Sequence, residues 1–197
     1  ARRQRQMCIE TVLALRDLEF DPSLRFGYRQ RMELEPDLID AKRALAEAAT
    51  VVVFTPLWWG SVPALLKGFF DRALLPQQEY RYSKLGLPEG LLPARNGRLL
   101  LLADTPWFLT LTGLPAQTHV ARGTLRFCGV RSVRTTRMLG VKDASPERIA
   151  SWLTRAESLG RRDGIRDSSR TPSGPAERQG SQAIAAEAAS SLSLIHI

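Results

Sequence analysis

The stretch that decides the fold is residues 54–72, which read FTPLWWGSVPALLKGFFDR. The apolar run at residues 51–54 predicts a buried strand that ends where this stretch begins. A short loop with Trp58, Trp59 and Gly60 follows, and Pro63 then opens a helix with a broad apolar face. In an open parallel sheet, ligands bind beyond the carboxyl ends of the strands, where loop amides are free to donate hydrogen bonds. The stretch therefore predicts a strand, a ligand-binding loop and a helix. The alternative is that the two indoles only cover a hydrophobic edge.

Strands and helices alternate on both sides of this stretch. The predicted strands read as buried runs and lie at residues 9–15, 51–54, 98–103 and 132–138, the last of them an edge strand. The predicted helices lie at residues 37–48, from residue 63 to 74, near 117–127, and from the N-cap Ser145 onward. Two loops connect them, an arginine-rich one that ends at residue 35 and one rich in Pro and Gly at residues 76–97. Buried runs separated by helices predict an α/β fold with parallel strands covered on both faces.

The hydrophobic periodicity stops after Gly160. Residues 1–160 are therefore expected to form one domain, and residues 161–197, mostly Ser, Ala, Gly and Arg, a disordered tail. The closing residues 191–197 read SLSLIHI and resemble a translated sequencing adapter, so an artefactual tail is an alternative to a genuine one.

Composition narrows the class of protein. A chain of 197 residues with 44% hydrophobic residues can bury the core of one domain, and its apolar runs are too short to cross a bilayer. The net charge of +8 comes almost entirely from scattered arginine, because only four of the 28 basic residues are lysine. No basic stripe interleaves with aromatic residues, so we expect no nucleic-acid partner. The two cysteines form no metal-ligand spacing, and we expect no metal and a reducing, cytoplasmic setting.

Several separated motifs resemble the NAD(P)H:quinone oxidoreductase family, in the family's order. They are residues 54–72, 74–76, 80–82, 102–108, 126–130 and 142–148, and the likeness covers residues 9–160. The resemblance implies a flavodoxin-like three-layer sandwich with a parallel sheet. It also implies a bound flavin, FAD or FMN with FAD favoured, an NAD(P)H electron donor, a quinone-like acceptor and a homodimer.

The resemblance also implies a role for each matching residue. Pro56, Leu57, Trp58, Trp59 and Gly60 would contact the isoalloxazine ring, largely through backbone groups. The opposite wall of the flavin site would be formed by Asp104, Thr105, Pro106, Trp107 and Phe108. Tyr80 and Tyr82 match a tyrosine pair that covers the substrate pocket of the partner subunit. Hydride transfer in two half-reactions would be the chemistry of the flavin, and no side chain is expected to act as a catalytic nucleophile or base.

The chain also departs from the family pattern. The family's first strand, its flavin-phosphate loop and most of its first helix have no match in this sequence, and loss of that central strand would expose strand edges. Three alternatives to an active quinone reductase therefore stay open: an inactive fragment that purifies colourless or insoluble, a non-catalytic flavin-binding subunit of a potassium-efflux system, and a basic nucleic-acid-binding protein.

Five further residues are expected to have structural roles. His119 is interpreted as a surface or capping residue and Cys128 as part of the core. Arg72 is expected to make a surface or interface pair, as is its neighbour Asp71. Gly68 lies inside a predicted helix, which favours close packing against the sheet or a second subunit.

Overall fold

The computed structural model describes residues 9–94, 96–110, 114–168 and 191–196. Its strands are β1 Ile9–Ala14, β2 Thr50–Pro56, β3 Tyr80–Tyr82, β4 Pro88–Gly90, β5 Asn96–Ala103, β6 Ser132–Leu139 and β7 Ser191–His196. Its α-helices are α1 Pro36–Glu47, α2 Ala64–Ala73, α3 Pro115–Thr118 and α4 Pro146–Ser168. A π-helix, His119–Arg126, continues α3, and single 3-10 turns cover Leu15–Asp17 and Trp107–Thr110.

Five strands form one parallel sheet in the order β1-β7-β2-β5-β6. The predicted α/β fold with a parallel sheet is confirmed, and β6 lies at the sheet edge as expected. The sequence led us to expect an exposed gap where a central strand has no match. In the structure β7 is an interior strand of the sheet, hydrogen-bonded to β1 on one side and β2 on the other.

Successive residues of the central strands face opposite sides of the sheet. Val51, Val53 and Leu99 belong to the larger core, together with buried side chains of α1, α2 and the π-helix. Val52 and Leu100 belong to a smaller core, which Trp152 and Ala156 of α4 cover from the other side. The alternation places helices on both faces, so the molecule has three layers.

Two segments differ from the sequence-based expectation. The Pro- and Gly-rich residues 76–97, expected to be a loop, contain an antiparallel hairpin of β3 and β4. The helix expected near residues 117–127 is α-helical only at Pro115–Thr118 and then widens into the π-helix. Its hydrogen bonds span five residues, as from the Phe127 amide to the Arg122 carbonyl at 3.2 Å. Apolar spacing predicts a helix here but does not distinguish these two forms of it.

The expected tail also differs from the structure. Helix α4 continues past Gly160 to Ser168, and Ser191–His196 forms β7, whereas residues 169–190 and 197 lie outside the described part of the chain. The buried carboxylate of Asp163 receives two hydrogen bonds from Arg98 of β5, at 2.6 and 3.0 Å, which holds this extension of α4 against the sheet. The domain boundary at residue 160 stays a prediction.

Arg72 is the clearest correction to the sequence analysis, because its side chain is only 1% exposed instead of lying on the surface. Its guanidinium donates to the Asp21 carbonyl at 2.6 Å, to the Glu33 carbonyl at 2.7 Å and to both carboxylate oxygens of Glu35. These partners belong to the arginine-rich loop, which Arg72 therefore ties to α2. The neighbouring Asp71 does make the expected surface pair, with Lys67 at 2.6 Å.

Gly68 has a packing role, but its neighbour is this same loop. A Cβ atom built at Gly68 would lie 2.4 Å from the Cβ and 2.6 Å from the carbonyl oxygen of Pro22. Real Cβ atoms do not approach backbone atoms so closely, so only glycine lets the loop cross α2 at this point.

We expect Gly68→Ala to lower the free energy of unfolding by about 1–3 kcal/mol, because the added methyl group has no space. Alanine is the better helix former by about 1 kcal/mol, so an effect of propensity alone would have the opposite sign. Urea unfolding measures the difference. Gly160→Ala is the matched control: it lies in α4 with no atom near the added methyl group, and it should be neutral or stabilising. Equal effects of the two substitutions would contradict the packing argument.

Candidate functional site

The loop after β2 is a tight turn with an unusual backbone. Trp58 and Ser61 exchange two backbone hydrogen bonds, both 2.9 Å long, across the central residues Trp59 and Gly60. Both central residues have positive φ, 53° for Trp59 and 72° for Gly60, as a type I′ turn requires. Glycine adopts this conformation freely, whereas a residue with a Cβ atom pays about 1–2 kcal/mol for it. Trp59 is therefore held in a strained conformation that its own packing does not explain.

The two indoles do not cover a hydrophobic edge. Trp58 is 58% exposed and Trp59 is fully exposed, although tryptophan is a residue that proteins usually bury in large part. Within one chain, this exposure argues against the alternative that the two indoles only cover a hydrophobic edge. Two flat apolar surfaces in solvent, one of them on a strained backbone, are typical of a binding surface.

The loop after β5 lies beside this turn. The amide of Leu57 donates to the Leu102 carbonyl at 2.7 Å, so the β2–β5 pairing continues one residue beyond β2. Thr105 is half-buried, Asp104 and Pro106 are exposed, and the Phe108 ring in the 3-10 turn is 54% exposed. The turn and this loop thus extend from the carboxyl ends of two hydrogen-bonded strands, where an open parallel sheet binds its ligands.

A third loop, at residues 140–145, is joined to this edge by contacts that sequence reasoning missed. Its Gly140 amide donates to the Ala103 carbonyl at 2.7 Å, and its Lys142 amide donates to Oδ1 of Asp104 at 2.6 Å. The motif at residues 142–148 marked this loop in the sequence but not its contacts. Ser145 caps α4 as predicted, by accepting a hydrogen bond from the Arg148 amide.

The two tyrosines that were predicted to act together on a substrate are in edge-to-face contact, with ring centroids 5.9 Å apart, but they differ in exposure. Tyr80 is buried, with its ring centroid 4.8 Å from that of Phe127, and Tyr82 is 56% exposed. Burial raises the pKa of the Tyr80 hydroxyl well above its ordinary value, and the neighbouring Tyr28 adds to the rise. Within one subunit, Tyr82 is the member of the pair that presents its ring to solvent.

For Cys128 and His119, the sequence analysis expects structural rather than functional roles. Burial raises the pKa of the Cys128 thiol to about 12, so it stays protonated and unreactive in the core. Burial lowers the pKa of His119, and the nearby Lys67 ammonium lowers it further, so the imidazole is uncharged at neutral pH.

The Trp58–Ser61 turn fits a flat aromatic ligand that also needs hydrogen-bond donors. The amides of Leu57 and Trp58 are used within the protein, but none of the hydrogen bonds between described residues uses the amide of Trp59 or Gly60. Of the residues predicted to contact the flavin, Trp58, Trp59 and Gly60 are exposed, whereas Pro56 and Leu57 are half-buried and the Leu57 amide is already used. The contacts of all five with a flavin stay predictions. Two cavities in the described part of the chain, of about 190 and 370 Å³, lie instead against Arg72 and the arginine-rich loop.

Other classes of site find no support among the described residues. No group of three His, Cys, Asp or Glu side chains there is placed to bind a metal ion. In the same part of the chain, no helix combines the length and apolar character that crossing a membrane requires. Two arginines of β6 have partners within the protein, Arg134 with Asp163 and Arg137 with Gln117.

Comparison with known proteins supports the resemblance read from the motifs. Human ribosyldihydronicotinamide dehydrogenase [quinone] is 32% identical over 153 residues, which cover 71% of this chain and 64% of that protein. An FMN-dependent NADH:quinone oxidoreductase of Exiguobacterium sp. is 33% identical over 116 residues, which cover 57% of this chain and 54% of that protein. The chain therefore spans less than two thirds of the length of these relatives.

The fold comparison agrees. The crystal structure of Smu.1420 from Streptococcus mutans UA159 superposes with a TM-score of 0.64 at 24% identity and covers 73% of this chain and 77% of its own. The family model described as a flavodoxin-like fold matches residues 2–159. The candidate site lies at the carboxyl ends of β2 and β5, which we call the ligand edge. With its three layers and its parallel sheet, the chain belongs to the flavodoxin-like fold family.

Proposed function

We propose that this protein is a flavin-dependent NAD(P)H:quinone oxidoreductase. The observation that carries the proposal is the turn after β2, which holds two exposed indoles and two open amides on a strained backbone at the ligand edge of the sheet. Relatives that are named as quinone dehydrogenases, one of them FMN-dependent, support the choice of flavin, donor and acceptor.

In this function the residues of the chain bind and orient the reactants. When bound, the flavin would supply the two-electron hydride chemistry between NAD(P)H and the acceptor. The amides of Trp59 and Gly60 would donate hydrogen bonds to the ring, and their dipoles would favour negative charge there. The indoles and the Phe108 ring would exclude water and present flat apolar surfaces to flat reactants. Among the described residues of the site, we propose no side chain as nucleophile or base.

We further propose that the active form is a homodimer. The hairpin of β3 and β4 and the residues that follow it expose four large apolar side chains, Tyr82, Leu85, Leu87 and Leu91. An exposed apolar cluster of this kind is typical of a protein–protein contact. Contact between two hairpins would bury this cluster. The sequence resemblance implies that Tyr82 would then cover the substrate pocket of the partner subunit. Sedimentation at several protein concentrations tests this, and a monomer at all of them would contradict it.

The test of the proposed function begins with the absorbance spectrum. We expect the purified chain, mixed with FMN or FAD, to retain one flavin per chain on gel filtration and to oxidise NADH or NADPH when a soluble benzoquinone is added. Flavin binding without turnover would favour a regulatory flavoprotein, and a chain that retains neither flavin would refute the proposal. Cell fractionation tests the cytoplasmic location that we propose with it.

Trp59→Gly should separate binding from stability. Glycine adopts the left-handed conformation freely, and the exposed indole makes no packing contact to lose, so stability should stay equal or rise by about 1 kcal/mol. Loss of stacking should weaken flavin binding about tenfold, which corresponds to about 1.4 kcal/mol. Flavin fluorescence titration and urea unfolding measure the two effects.

Phe26→Ala is the control for Trp59→Gly, because it also removes an aromatic side chain, 50% exposed, but from the arginine-rich loop. It should leave flavin affinity unchanged. If Trp59→Gly binds flavin as tightly as the wild type does, the turn is not the ring site.

A further inference from the structure

The carboxyl ends of three neighbouring strands are joined beyond the sheet by a series of hydrogen bonds. The Leu57 amide joins the end of β2 to Leu102 of β5, and the Gly140 amide joins the end of β6 to Ala103 of β5. Beyond Ala103, the backbone pairing of β5 with β6 has ended. A side chain makes the next contact, because the Asp104 carboxylate accepts a hydrogen bond from the Lys142 amide at 2.6 Å.

The Asp104 carboxylate thus has a hydrogen-bond partner within the protein, the Lys142 amide. A carboxylate that accepts a backbone N–H makes a charge-assisted hydrogen bond, which is stronger and shorter than a neutral one. Its acceptor Oδ1 belongs to the first residue of the loop that carries Thr105 and Phe108. The bond therefore fixes the start of that loop with respect to residues 140–145.

The loop at residues 140–145 is itself well anchored. Arg148 of α4 donates to the Leu139 carbonyl at 2.9 Å, and its guanidinium lies 5.3 Å from the centre of the Trp152 ring. Trp152 packs in the smaller core on the sheet. Asp104 therefore links the flavin-side loop, through residues 139–142, to a side chain held by the core.

We propose that Asp104 is a positioning residue of the flavin site: through the Lys142 amide it holds residues 105–108 in place, without touching the flavin. This rests on the proposed function, and it replaces the direct contact to the flavin that the sequence resemblance implies for Asp104. Because the loop is ordered before the flavin arrives, less free energy is spent on ordering it during binding.

The experiment compares three variants of the full chain with FMN and FAD as probes. Asp104→Ala removes the acceptor and should weaken flavin binding about tenfold. Asp104→Asn keeps an acceptor oxygen and should bind within about twofold of the wild type, since a neutral hydrogen bond remains. Asp143→Ala is the matched control, because it removes the same charge from an exposed residue next to Lys142 and should leave flavin affinity unchanged.

Hydrogen exchange distinguishes positioning from direct contact, because a contact between Asp104 and the flavin would not affect exchange of the Lys142 amide in flavin-free protein. In flavin-free protein, the Lys142 amide should exchange faster in Asp104→Ala than in Asp143→Ala, while the urea midpoints of the two variants stay equal. The inference is overturned if Lys142 exchange is unchanged, if Asp104→Asn binds flavin as weakly as Asp104→Ala, or if Asp104→Ala binds as the wild type does. A wild type that binds neither flavin overturns the proposed function, and this inference with it.

Discussion

Arg72→Ala should lower the free energy of unfolding by about 3–5 kcal/mol, the range for removing one partner of a buried ion pair. Its guanidinium is among the most buried groups in the described part of the chain and satisfies two backbone carbonyls and the Glu35 carboxylate. Without it, the carbonyls of Asp21 and Glu33 lose their donor. Urea unfolding followed by circular dichroism measures the loss.

Arg25→Ala is the matched control for Arg72→Ala. Arg25 pairs with Asp21 in the same loop at 2.7 Å, but its side chain is 67% exposed, so its removal should cost less than about 1 kcal/mol. Comparable losses for the two arginines would contradict the structural role of Arg72.

The pH dependence of stability provides a second check on Arg72. Burial acts to raise the pKa of Glu35, but hydrogen bonds from the Asp21 amide and the Arg72 guanidinium outweigh it and hold this pKa below its ordinary 4.5. The unfolded chain therefore takes up a proton at Glu35 before the folded chain does, and stability falls as the pH drops below about 4.5. In Arg72→Ala, the loss of stability at acidic pH that comes from Glu35 should be smaller.

The sequence was sufficient for the elements whose signals are local. Buried runs predicted β2 and β5, apolar spacing predicted α1, and the N-cap Ser145 marked the start of α4. Each of these signals lies within a few residues of the structure that it predicts. An N-cap side chain, for example, accepts a hydrogen bond from an amide two or three residues later. The class of fold follows from such signals because parallel strands that are separated by helices have few ways to pack.

The sequence was insufficient where the partner of a residue is distant along the chain. Arg72 stands on a helix beside Asp71, and nothing near it reveals that its partners lie in the loop some 40 residues earlier. Asp163 follows the end of the apolar periodicity, yet it forms a buried pair with Arg98 of β5. Isolated charged contacts have no period, so hydropathy patterns predict a surface residue or a tail at both places.

The candidate site shows the same division. The Trp58-Trp59-Gly60 run predicted a loop with a flat binding surface, and the structure places that loop at the ligand edge with both indoles exposed. The left-handed φ of Trp59 was not predictable, because a type I′ turn normally favours Asn or Gly at that position. Neither was the bond from the Lys142 amide to Asp104, which joins two loops separated by all of β6.

The interior position of β7 leads to the second large expected effect. Leu194→Pro should lower the free energy of unfolding by about 3 kcal/mol or more, or abolish the cooperative transition. In a strand with a parallel neighbour on each side, the backbone amides donate hydrogen bonds alternately to the two neighbouring strands. Proline removes one of these donors and disrupts the pairing around it. The orphaned acceptor alone costs about 1–3 kcal/mol. In the described sheet β1 pairs only with β7, so hydrogen exchange should also show loss of protection at Val12 and Leu13.

Ser191→Pro provides the control within the same strand, because proline is tolerated at the first residue of a strand. It should unfold as the wild type does and keep β1 protected. If Leu194→Pro behaves like Ser191→Pro in both measurements, residues 191–196 do not complete the sheet in solution and the tail expected from the sequence is the better description. If only Leu194→Pro unfolds, residues 191–196 form the strand that joins β1 to β2. Hydrophobic periodicity gave no sign of a strand in this part of the sequence.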